Sequence, residues 1–177
     1  MLGLAALANW ELAVLESIGG ARGSVEERDA QITRSGMYAE YPAIFAGYLE
    51  LALDSSEQAV VSEALKRAVF LAWIATQAPP TESGIAELPE SSVRELMRAL
   101  DDAIASDVAD DELRAMLAWY HGRSAFAFEH FGRFRALDAF IRPVKPSDIA
   151  ALSGDRARFA GRGQLGRYWS ALRLESR

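Results

Sequence analysis

Ala68-Val69-Phe70-Leu71-Ala72-Trp73-Ile74-Ala75 is the longest uninterrupted apolar run in this 177-residue chain, and it sets the architecture. A helix that is apolar on every side has to be surrounded by protein. The run is far shorter than the roughly 20 residues a membrane span requires, so the helix expected over 56–77 is the central element of a buried core.

Part of that run comes back. Leu71-Ala72-Trp73 recurs 46 positions later as Leu117-Ala118-Trp119, and Ala52-Leu53-Asp54 recurs after 47 as Ala99-Leu100-Asp101. Periods of this size belong to stacked helix pairs, which makes 48–77 and 95–123 candidate copies of one helix-turn-helix unit. A true repeat gives a short stack of helix pairs; a chance echo leaves the same helices in an irregular bundle.

Helix starts are marked outward from this centre. Ser24-x-x-Glu27, Ser55-x-x-Gln58 and Ser92-x-x-Glu95 have the form of capping boxes, and Asp110-Asp111-Glu112 places negative charge where a helix N-terminus favours it. Gly19-Gly20, Pro42, Pro79-Pro80, Pro89, Gly122, Pro143, Pro146 and Gly154 interrupt the pattern. Helices are expected over 3–18, 25–40, 42–53, 56–77, 92–106, 110–121, 124–141 and 164–174, with a short turn at 147–153. Val93, Leu96, Met97, Leu100 and Ile104 form one apolar stripe, and Leu113, Met116, Leu117 and Tyr120 form another. No segment alternates as a strand does. The expected fold is all-α, with about seven to eight helices in a single domain over 1–177, and the basic segment 143–177 packs on it or extends from it.

Hydrophobic residues make up 50% of the chain and charged residues 25%, ordinary values for a globular protein with one core. There is no cysteine, hence no disulfide, thiolate metal site or cysteine nucleophile. The apolar start Met1 to Ala8 lacks the basic residues of a signal peptide, since the first cation is Arg22. A cytoplasmic protein that does not enter the membrane is expected.

Charge is segregated. Residues 1 to 120 hold 8 of the 19 basic and 20 of the 25 acidic side chains, a net −12, while residues 121 to 177 carry +6. Either the two parts face each other or each presents its own docking surface.

Two ionisable residues fall on core-facing stripes. His130 sits among Phe126, Ala127, Phe131, Phe134, Leu137 and Ile141, and Glu11 among Leu4, Leu7, Ala8, Val14, Leu15 and Ile18. A buried carboxylate needs a partner, and these two are candidates for each other. As a functional site, His130 would act as acid-base or ligand-orienting group, Glu11 would fix its tautomer, and Trp119 and Tyr120 would wall the pocket. The alternative is a purely structural polar network.

His121, followed by Gly122, reads as a helix C-terminus. The two histidines are nine residues apart and neither has a glutamate three positions before it, so no metal site is assigned, and no cofactor is assigned either. Gly161-Arg162-Gly163-Gln164-Leu165-Gly166 matches the dinucleotide fingerprint in letters only, because no strand precedes it and no βαβ unit fits. Arg156, Arg158, Arg162 and Arg167 are interleaved with Phe159, Tyr168 and Trp169, a combination that holds phosphates and stacked bases. Against nucleic acid stand a net charge of −6 and a pI near 5.0.

The leading expectation is a non-catalytic helical protein-interaction module of adaptor or inhibitor type, whose partner is another protein. A small-molecule binder or enzyme built on His130 and Glu11 is the alternative. Nucleic-acid binding through the arginine-rich segment comes third.

Overall fold

The computed structural model describes residues 2–129 and 135–173. Twelve α-helices and no strand occur among them. No helix among the described residues is long and apolar enough to cross a membrane.

Helix α4 (Gln58–Ile74) is the axis of the bundle, and every residue from Ala64 to Ile74 is buried. Helix α3 (Glu40–Asp54) lies along it, joined by a three-residue turn. Ser55 serves that turn by accepting from the Glu57 amide at 3.2 Å, so it does not cap α4 as its spacing to Gln58 predicts. Helix α1 (Leu4–Gly19) packs on α3, and its Leu7 side chain occupies the space where a Cβ on Gly47 would stand.

Helix α2 (Val25–Ser35) opens with the expected capping box: Ser24 Oγ accepts from the Glu27 amide and Glu27 Oε2 accepts from the Ser24 amide. It stops short of the expected residue 40 because Gly36 takes a left-handed conformation at φ 75°, followed by the 3₁₀ turn Met37–Ala39. Pro42, expected as the first residue of a helix over 42–53, is the third residue of α3, still in its first turn, where the amide it lacks has no intrahelical acceptor.

The second half adds α5 (Pro80–Ser83), α6 (Glu90–Ala105), α7 (Asp111–Arg123), α8 (Phe126–Glu129), α9 (Arg135–Ile141), α10 (Pro146–Ala150), α11 (Arg156–Phe159) and α12 (Gly163–Ala171). The count exceeds seven or eight because α5 and α11 are single turns in stretches that read as loops, because α10 falls where a short turn is expected, and because α8 and α9 both fall in the span expected as one helix, 124–141. Ser92-x-x-Glu95 is no cap, since α6 already begins at Glu90 behind Pro89. Asp110 is one: its Oδ1 accepts from the Leu113 amide at 2.8 Å. Helix α7 runs through Gly122 to Arg123, so His121 and Gly122 do not end it.

The two echoed segments do not adopt the same arrangement. Where α3 lies against α4, α6 lies against α9, and the result is an irregular bundle. Trp73 stacks on Tyr120 with ring centroids 4.6 Å apart, joining α4 to α7 at the core, whereas Trp119, its counterpart in the echo, packs against Trp169. Trp73 and Trp169 are buried, whereas Trp10 and Trp119 are half-buried.

Leu71→Ala on α4 should cost about 3–5 kcal/mol in urea unfolding, the range for a cavity in a close-packed core. Leu53→Ala, at a side chain 48% exposed, should cost no more than about 0.5 kcal/mol.

Candidate functional site

The buried part of α4 nonetheless carries Lys66 and Arg67, and the half-buried Glu63 shares their face by the i, i+3, i+4 spacing. That face is the root of a polar chain running through the core. On its α7 side, Lys66 Nζ contacts Asp110 Oδ2 at 2.6 Å and Glu112 Oε1 at 3.5 Å, with Ser62 Oγ donating to the same Asp110 oxygen at 3.1 Å. Arg162, immediately before α12, clamps Glu63 with two bonds of 2.8 and 2.6 Å and reaches Glu112 Oε1 at 2.6 Å. Arg158 donates to Glu112 Oε2 at 2.8 Å from outside.

Toward α1, Arg67 Nε donates to Glu63 at 2.7 Å while its Nη1 donates to the Leu4 carbonyl at 2.9 Å and lies 3.5 Å from Tyr48 Oη. Tyr48 in turn donates to Glu11 Oε1. Glu11 Oε2 accepts from the Gln164 amide at 2.9 Å, and the Gln164 side chain bridges Ser83 and Tyr41. Four carboxylates (Glu11, Glu63, Asp110, Glu112) thus alternate with four cations (Lys66, Arg67, Arg158, Arg162), and each of the eight has a partner within the chain.

Proton affinities follow from position. Burial raises the Glu11 carboxyl above its ordinary value, against the opposing pull of Tyr48, the Gln164 amide and Arg67. At Glu112 burial acts in the same sense, but Arg162, Lys66 and Arg158 more than offset it and hold the carboxyl below the usual range. Asp110 is likewise held low by Lys66 and the Leu113 amide despite its burial. Desolvation and the neighbouring Glu11 push both Tyr48 and Tyr41 upward, so both stay protonated hydrogen-bond donors.

Two of the three glycines of 161–166 acquire a reason here. Gly163 sits at φ 59°, and a Cβ on it would overlap the Glu11 carboxylate; a Cβ on Gly166 would overlap the Phe159 carbonyl. The N-terminus of α12 is therefore an anion-binding helix end whose anion is the protein's own Glu11.

Glu11 is buried, as its stripe predicts. His130 lies outside the described residues. Trp119 and Tyr120 belong to a separate aromatic cluster: Trp119 Nε1 donates to Tyr168 Oη and Trp169 Nε1 to Tyr120 Oη, both at 2.8 Å, while Arg123 covers the Trp119 ring at 3.9 Å. Among the described residues no hydrogen bond or ring contact joins that cluster to Glu11. The arginine set divides. Arg158 and Arg162 are tied to Glu112 and Glu63, Arg167 lies 3.6 Å from Glu16, and Arg156 is exposed. Beside Arg158 a cleft of about 390 Å³ is lined by Asp111, Glu112, Arg114, Asp148 and Leu152.

Sequence reasoning passed over Glu63, Lys66 and Arg67, although three charges at helical spacing directly before an apolar run were a usable signal. Tyr48 and Gln164 gave none. No family model matches this chain, and no curated protein and no solved structure matches it.

Arg162→Met removes both bonds to Glu63 and one cation of Glu112, leaving Glu63 to Arg67 and Glu112 to Arg158 and Lys66, and should cost about 2 kcal/mol in urea unfolding at neutral pH. Gly163→Ala forces a left-handed alanine against Glu11 and should cost about 2 kcal/mol or more, against about 1 kcal/mol for Gly36→Ala, where φ is also positive but nothing lies within 4 Å of the new methyl.

The pH dependence of unfolding separates the two kinds of carboxylate. Glu112, held low in the folded state, contributes stability above its ordinary value and loses it as pH falls through the lowered one, so wild type should approach Glu112→Gln on acidification. Glu11, held high, contributes stability below its ordinary value and loses it as pH rises through the raised one, so wild type should fall relative to Glu11→Gln as pH rises. Urea titrations across the carboxylate range read both slopes.

Proposed function

We propose that this chain is a helical protein-interaction module, of adaptor or inhibitor type, that holds a basic partner protein on an acidic surface. The observation supporting this is where the counter-charges have gone. Arg158 and Arg162 are drawn in against Glu112 and Glu63, whereas Glu50, Asp54, Glu95 and Asp102 on α3 and α6 are exposed and bond to no described residue. Residues 1 to 120 carry net −12, and a field of that sign steers basic partners and repels acidic ones.

The same pairing explains why nucleic-acid binding ranks lower. Of the four arginines that would contact phosphates, two are already committed to carboxylates and a third faces Glu16. The core polar chain supports a rigid scaffold, since its lone pairs and N–H groups are largely taken up within the chain.

Affinity purification at low ionic strength, followed by recombination of purified components, tests the proposal. The expected partner is a protein with a basic contact surface, and its association rate should fall steeply as salt rises from about 50 to 200 mM. Recovery of no protein partner, or a complex indifferent to salt, overturns the reading.

A further inference from the structure

Helices α1 and α3 run antiparallel, Leu7 meeting Gly47 and Trp10 meeting Glu40. Between them lies an open groove of about 540 Å³. Leu7 forms its floor, and Leu2, Ala43, Ala46, Gly47 and Glu50 its walls. Its depth comes from small side chains: Gly47 has no Cβ, and the two alanines have nothing beyond one. Ala43, Gly47, Glu50 and Asp54 fall on one stripe of α3 by their helical spacing.

The charged side chains of the two helices themselves have one sign. Neither α1 nor α3 contains a Lys or Arg. Glu40 accepts from Trp10, and Glu16 lies near Arg167. Glu50 and Asp54 are exposed and bond to no described residue. Leu2 and Leu53 are each 48% exposed, unusual for leucine side chains.

A shallow apolar trough between two helices accepts the ridge of a third. Here the trough is narrow-walled by small residues and flanked by carboxylates lacking counter-ions. A second copy of the chain is a poor occupant, because two-fold pairing over this face brings Glu50 and Asp54 toward another acidic rim. We infer that the α1–α3 groove receives an amphipathic helix of a partner protein, with Ala or Leu side chains seated over Leu7 and Gly47 and Lys or Arg reaching Glu50 and Asp54. The inference rests on the interaction reading above and adds to it the surface and the form of the partner.

A fluorescein-labelled synthetic helix with Ala and Leu on one face and Lys on the other tests it by fluorescence anisotropy, beside a scrambled peptide of identical composition. Wild type should bind the amphipathic peptide at least about tenfold more tightly than the scramble. Ala46→Arg, which fills the trough, and Glu50→Lys, which reverses its rim, should each weaken binding about tenfold or more, a loss of about 1.4 kcal/mol. Both positions are exposed on α3, and circular dichroism melts verify that the variants fold. Glu95→Lys with Asp102→Lys on α6 should leave the peptide affinity within about twofold. Equal binding of the scramble, or a concentration-dependent dimer that Ala46→Arg disperses, overturns the groove assignment. Binding that survives both α3 changes and is lost on reversing Glu95 and Asp102 also overturns it, while the acidic-surface reading stands. Failure of the peptide to bind in any buffer overturns the groove; if the purification above also yields no basic partner, both readings fall together.

Discussion

The enclosed part of α4 cannot take Lys66 and Arg67 into the interior, with Glu63 at its edge, unless each charge meets its opposite there. The desolvation cost of one unpaired ion exceeds what any single core contact returns. That requirement positions the rest of the bundle. Helix α7 has to present Asp110 and Glu112 at its first turn, the loop before α12 has to deliver Arg162, and α3 has to offer a phenol between Arg67 and Glu11. The apolar cluster supplies the drive to collapse but little direction, because leucine and alanine pack against many neighbours. The alternating charges accept far fewer arrangements, which gives this core its register.

The glycine-rich segment shows how one local geometry serves different ends. Three glycines opening a helix are what a phosphate cradle requires, and the same features, bare backbone amides and a positive helix end, suit any oxyanion. In this chain the oxyanion is a carboxylate 153 positions earlier in sequence. The letters matched a nucleotide motif because the physical problem is the same; the missing strand and βαβ unit were what separated the two cases.

Much of the helical layout was legible. The all-round apolar run identified α4, the stripes on α6 and α7 are buried as their spacing requires except for the half-buried Ile104, and Ser24 and Asp110 cap as their side chains allow. Ser92 misled because a hydroxyl three residues before an acid or amide is a cap only if the backbone has not already turned helical, and Pro89 starts α6 early; Ser55 misled because its hydroxyl serves the turn and α4 starts only at Gln58. Glu11 was found because an acid on an apolar stripe is visible in projection. Its partners were not, since Tyr48 and Gln164 are ordinary residues until tertiary packing brings them together. The arginines of the C-terminal segment read as a surface for phosphates because sequence shows their number and not their orientation. Lys66 and Arg67 carried the better clue, being charges in the buried stretch of α4.

The polar chain links residues from both ends of the polypeptide: Glu11 waits for the Gln164 amide, and Glu63 and Glu112 wait for Arg162. During vectorial synthesis on the ribosome, α1, α3 and α4 emerge long before those partners exist. A nascent intermediate ending before residue 162 would hold buried carboxylates with part of their compensation missing, so it must keep them hydrated and its helices only loosely apposed. Locking of the native core therefore has to follow synthesis of residues 162 to 164.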